Sequence, residues 1–123
     1  MIGFLCCSTL PYYDFAAKQN KFKIRPVLII GRADAGDYNV LPVSRVTNKQ
    51  FIHPFYDIPI DPAVYPATKL NNYSYIRAHK QTIINQASIT LQLCDLKNTY
   101  PELYLQIITQ WDDFNQNILN ESL

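Results

Sequence analysis

At 123 residues, 48% of them hydrophobic, the chain is long enough for one domain with a sizeable core and too short for two. No run approaches the ~20 apolar residues of a membrane-spanning helix, and Met1 to Leu10 carries neither the basic start nor the cleavage site of a signal peptide, so a cytoplasmic protein with no membrane partner is expected. The formal net charge of +1 conceals a division: residues 1–80 hold ten of the eleven Lys and Arg against five Asp, a local +5, while residues 81–123 hold Lys97 against five acids, a local −4. Such asymmetry points the first part of the chain at a polyanion. Its modest size suits a short single strand better than tight duplex binding, which comes with a strongly basic domain.

In chain order, Ile2 to Cys7 reads as a short apolar strand. Adjacent Cys6 and Cys7 would point to its opposite faces. With Cys94 they make neither an even disulfide set nor a zinc spacing, so buried thiols and no metal site are expected. Residues 8–24 (STLPYYDFAAKQNKFKI) show no clear period and read as a long, mobile loop. Arg25 precedes Pro26 and the apolar run Val27 to Ile30, closed by Gly31. Proline biases its predecessor toward extended conformations, so this reads as a central strand buried on both faces, with Arg25 at its mouth.

Asp34, Gly36 and Asp37 form a turn into a strand from Tyr38 to Val46. Phe55 to Ile60 resembles an edge strand, since Pro59 is tolerated where no ladder bond is needed. Residues 61–72 form a loop with two prolines, and Tyr73 to Ile84 is one long strand or two short ones bent near Lys80. The pattern then changes. Thr99 with Glu102 three residues on is a capping-box signature, followed by Tyr104, Ile107, Ile108, Trp111, Phe114 and Ile118 at helical spacing. An amphipathic helix closing one side of the sheet follows, with Trp111 in the core. Short strands and one helix give an α+β or small-barrel class.

Three groups of residues have the chemistry to act on a phosphodiester. Arg25 offers the planar fork that matches a phosphate. Ser44, two residues after Pro42, can donate a hydrogen bond to the same oxygen. Arg77 and His79 share a face if the chain stays extended, and an imidazole titrates near neutrality, which suits proton transfer. Tyr12, Tyr13, Phe15 and Phe22 interleave with Lys18, Lys21 and Lys23, as a flap over single-stranded bases would require.

The order of basic loop, RPVLII, turn, LPVS and YSYIRAHKQTII resembles the PemK/MazF family of bacterial toxin ribonucleases. The matching blocks are Lys23 to Ile30, Val40 to Thr47 and Ser74 to Ile84, preceded by Gly3 and an apolar strand. The resemblance implies an α+β chain of one domain, 1–123, built as a small SH3-like β-barrel with a C-terminal amphipathic helix. It implies a homodimer, a cognate antitoxin, and metal-independent cleavage of single-stranded RNA by 2′-hydroxyl attack to a 2′,3′-cyclic phosphate, with no cofactor. Arg25, Ser44, Arg77 and His79 are then the expected catalytic residues, and Lys21, Lys23, Arg45 and Lys80 the expected RNA contacts. Ser44 stands where the family usually has Thr, which keeps the hydroxyl. His79 stands where the family has an Asp, which leaves the general base open. Two other readings stay open: a gyrase inhibitor like the structurally related CcdB toxins, and a barrel that binds RNA or protein without catalysis.

Overall fold

The computed structural model describes residues 1–45 and 48–123. Seven strands form one curled antiparallel sheet: β1 (Phe4–Asp14), β2 (Gln19–Arg32), β3 (Asp37–Ser44), β4 (Asp57–Ile60), β5 (Ser74–Arg77), β6 (Thr82–Asn85) and β7 (Ile89–Asp95). The spatial order is β4-β5-β3-β2-β1-β7, with β6 also paired to β3. The path is open, a half-barrel with β4 and β7 at its edges. Two helices follow, α1 (Leu96–Thr99) and α2 (Pro101–Ser122). Among the described residues no helix is long and apolar enough to cross a membrane.

The Val27 to Ile30 run behaves as its continuous apolarity predicts. Leu28 packs inside the curl with Leu5, Leu41, Ile58, Ile60 and Ile76, where Leu96, Leu103 and Ile107 close the opening. Val27 and Ile29 pack on the other face with Cys6, Leu10, Val40 and Ile84. Pro59 lies in edge strand β4, and the Tyr73 to Ile84 stretch divides into β5 and β6, with the break at 78–81. The end expected at Val46 for the third strand, and Thr47 of its motif block, lie outside the described residues.

Three expectations need correction. Residues 8–24 are not a mobile loop: β1 and β2 run on as a paired hairpin from Ser8↔Arg25 to Asp14↔Gln19. The turn is tied by Asp14, whose Oδ1 accepts from the Ala16 and Ala17 amides and whose Oδ2 meets Lys21 Nζ at 3.0 Å. The more buried positions of β1 here, Ser8, Leu10, Tyr12 and Asp14, mix polar with apolar residues, so no hydrophobic period is visible. Strand β7 stops pairing at Ser8. Pro11 is accommodated on the edge this leaves free. Secondly, Arg25 lies in mid-strand rather than at a strand start. Thirdly, Thr99 does not cap the long helix. Tyr100 is its N-cap with no side-chain bond, Pro101 occupies the first turn where its missing N–H costs nothing, and Asp95 caps the short helix before it. Strand β7, whose SITLQLCD alternation is readable, was not among the expected elements.

Gly3 ties the N-terminus across the fold: its amide donates to the Ile29 carbonyl at 2.7 Å and its carbonyl accepts from Lys97 at 3.1 Å. It adopts φ +90, and a Cβ there would run into Lys97 Cβ. Gly3→Ala should therefore lower the unfolding free energy by about 1–3 kcal/mol, measured by urea denaturation with the m-value unchanged.

Candidate nucleic-acid interface

The site is made by a fork in the sheet. Strands β2 and β3 are paired from Arg32↔Tyr38 to Val27↔Pro42, then separate. Strand β2 continues with β1 into the arm, while Val43 and Ser44 turn to β5, opposite Ile76 and Tyr75. Pro26 and Pro42 bring no N–H to the ladder at the point of separation. Between the diverging strands lies a cleft of about 800 Å³. Lys23 and Arg25 come to it from β2, Arg45 from the end of β3, and Lys69 from the loop before β5. Its floor is apolar, with Pro26, Val43, Leu70, Leu91 and Leu93.

Among the described residues four cations line this cleft and no carboxylate does. Among the described residues none of the four forms an ion pair. Lys23 Nζ sits 4.7 Å from the Tyr12 ring centroid. An uncompensated cluster of this kind attracts a polyanion. Cys7 also lines the cleft, but burial pushes its thiol above the ordinary range, so at neutral pH it is not a thiolate nucleophile. Cys6 beneath is pushed up to about 11, chiefly by burial. All three cysteines are free.

Of the residues singled out from the sequence, Lys23, Arg25 and Arg45 are brought together here. Ser44 is not among the residues that line it. Lys21 is paired with Asp14 on the arm. Arg77, His79 and Lys80 line a separate open pocket of about 500 Å³ with His53 and Phe51. Lys69, Asn71, Asn72 and Ser74, together with Leu91 and Leu93, line the cleft without having been anticipated. The β7 alternation was the available signal for the leucines. For the loop residues there was none, because only the fold brings that loop to the fork.

The second pocket is built on a buried ion pair. Arg77 lies directly opposite Asp57 in the β4–β5 ladder, and its Nε donates to Asp57 Oδ1 at 2.9 Å. Its Nη2 donates to Asp57 Oδ2 and to the Phe51 carbonyl, both at 3.3 Å. The Asp57 side chain is 0% exposed and also accepts from the His53 amide. His53 Nδ1 accepts from the Phe55 and Tyr56 amides, which puts that ring's proton on Nε2. His79 is 13% exposed, its Nδ1 is 3.9 Å from Asp57 Oδ1, and that nitrogen has no hydrogen-bond partner. Its ring packs among His53, Tyr56 and Phe114.

No family model matches the chain, and no curated protein matches it in sequence. Among solved structures, the fold is similar to that of the Mycobacterium tuberculosis toxin MazF-mt6. The TM-score is 0.55 at 19% identity, covering 89% of this chain and 96% of that one. The chain thus has the MazF-like α+β fold: a curled antiparallel sheet with a C-terminal helix.

Burial lowers the His79 pKa, outweighing the opposing pull of Asp57; Arg77, Lys80 and His53 add to the lowering. The folded state therefore binds its proton less readily than the unfolded chain. This contribution to stability is present above the unfolded pKa of ~6.5 and is lost as pH falls through the folded value. Melting temperature should drop on going from pH 7 to pH 5, and His79→Gln should show a smaller drop when both are followed by circular dichroism.

Proposed function

We infer that this protein is an endoribonuclease toxin of a toxin–antitoxin pair, acting on single-stranded RNA held in the cleft between β2 and β3. The observation that carries the reading is the cleft itself: four cations without a carboxylate, above an apolar floor, on a fold shared with a protein named a toxin. Cleavage by 2′-hydroxyl attack develops negative charge on a pentavalent phosphorus. Arg25 is half-buried at the fork, where its fork of N–H donors can bridge two phosphate oxygens in a partly desolvated setting. Lys23, Arg45 and Lys69 hold the flanking phosphates. The apolar floor offers a surface for bases splayed from the strand.

In this reading Arg77 positions rather than reacts, since its donors are committed to Asp57 and Phe51. His79 lies in the second pocket and is the imidazole available for proton transfer if the substrate extends that far. A cognate antitoxin and a second copy of the chain are the proposed protein partners; exposed Phe22 provides apolar surface beside the cleft, and exposed Ile24 and Leu91 line it. A second reading, a barrel that binds RNA without cutting it, is favoured by one observation: neither imidazole nor carboxylate lines the cleft. The gyrase-inhibitor reading has less support. The CcdB toxins depend on a Trp close to the very C-terminus, whereas Trp111 lies in mid-helix with its indole N–H donated to Gln81 Oε1.

Arg25→Ala separates these. On a labelled single-stranded RNA pool it should lower the cleavage rate by about 10²-fold or more with an unchanged melting curve. An Arg25→Ala variant as active as the parent would remove Arg25 from the mechanism, and a parent protein that binds without cutting would favour the second reading.

Binding should weaken with salt. For single strands log K falls by ~0.7 per phosphate neutralised, so four cations set a limiting slope of about −3 against log salt. Fluorescence anisotropy of a short RNA between low and physiological salt reads this slope, and a flat line would count against a phosphate-binding cleft.

A further inference from the structure

The loop that carries Lys69 into the cleft continues as Asn71 and Asn72, which line the same space. Their side chains differ from those of the other turn-forming Asn and Asp residues. Asn48, Asn85, Asp61 and Asp95 each accept a hydrogen bond from a backbone amide two or three residues on, the usual local role of these side chains in turns and caps. Asn71 and Asn72 make no side-chain hydrogen bond among the described residues and are exposed to the cleft. They are therefore not explained as turn formers.

Their backbone is nonetheless firmly held. Thr68, fully buried, donates from Oγ1 to the Tyr65 carbonyl at 2.7 Å and accepts from the Leu70 amide. Lys69 takes a left-handed conformation, φ 60, that closes the turn with its amide on the Pro66 carbonyl. Tyr100 Oη accepts from the Ala67 amide, and Leu70 packs against the main core. On the far side, buried Ser74 donates to the Asn72 carbonyl at 2.9 Å. The loop thus presents two unbonded carboxamides from a fixed backbone, which is the preorganisation that recognition requires.

We propose that Asn71 and Asn72 are specificity-determining residues that read nucleobase edges in the cleft, while Lys23, Arg25, Arg45 and Lys69 hold the phosphates. This rests on the RNA-binding reading of the cleft. A carboxamide carries a donor and an acceptor side by side, the pattern that pairs with the edge of a single base; a lysine or arginine on a phosphate carries no sequence information. Unpaired bases in single-stranded RNA expose the edges such groups read.

The test uses the full chain and a synthetic single-stranded RNA pool with a randomised centre. Cleavage ends are sequenced, and RNA retained by the protein is sequenced separately. Asn71→Ala and Asn72→Ala should relax the preference at one nucleotide position each, on the order of tenfold, with total affinity little changed. Asn72→Asp, which keeps the shape but removes the donor, should change which base is favoured rather than merely relax the choice. Lys69→Ala should weaken all sequences alike. Asparagine variants with the parent's preference would overturn the inference and leave the ribonuclease reading standing. A parent that neither cuts nor retains any RNA would overturn both.

Discussion

Strand β2 must satisfy two neighbours that diverge. At Val27 and Leu28 it is buried on both faces and paired on both edges, to β1 and to β3, so its position there is fixed. From Pro26 back toward Gln19 the situation reverses: β3 leaves to pair with β5 while β2 stays with β1. Lys23 and Arg25 therefore project from a strand whose far half is anchored in the core and whose near half has lost one neighbour. The cleft, its cationic lining and the outlying hairpin arm all depend on that separation.

Two arginines illustrate how the fold assigns different roles to one residue type. Arg77 is placed by ladder register directly opposite Asp57, and the buried carboxylate engages its guanidinium at both oxygens. Removing either partner would strand a charge in a low-dielectric interior, so the pair holds β4 to β5. Arg25 lies opposite Ser8 and lines the cleft with Lys23, Arg45 and Lys69. Its charge is uncompensated and available to a ligand. The acidic end of the chain leaves this contrast intact. Asp113 accepts from Tyr56 Oη at 2.6 Å, and Asp95 caps a helix, so neither competes for the cleft.

Helix α2 explains why an open half-barrel is stable. Leu103 and Ile107 are buried against the interior of the curl, with Tyr104, Trp111 and Phe114 packed at the margin, covering what the missing closure between β4 and β7 would leave wet. The remaining turns carry exposed Ile118 and Leu119. The apolar stripe at helical spacing was thus legible along its whole length, although it meets the core only as far as Phe114.

The sequence by itself determined the strand and helix content wherever burial imposes a period: the doubly buried Val27 to Ile30 run, edge strand β4 with Pro59, the extended character of Tyr73 to Ile84, and the stripe on α2. It also marked Arg25 as a candidate anion ligand and revealed the basic first part of the chain. It was silent on the β1–β2 arm, because the more buried positions there, Ser8, Leu10, Tyr12 and Asp14, mix polar with apolar residues and leave no hydrophobic alternation to read. Only the tertiary structure decided which candidates share a site. Lys69, Asn71 and Asn72 join Lys23 and Arg25, while Arg77 and His79 go elsewhere. The reason is that a site between non-adjacent strands is defined by ladder register and by where pairing stops, and these are properties of the assembled sheet rather than of any local stretch of residues.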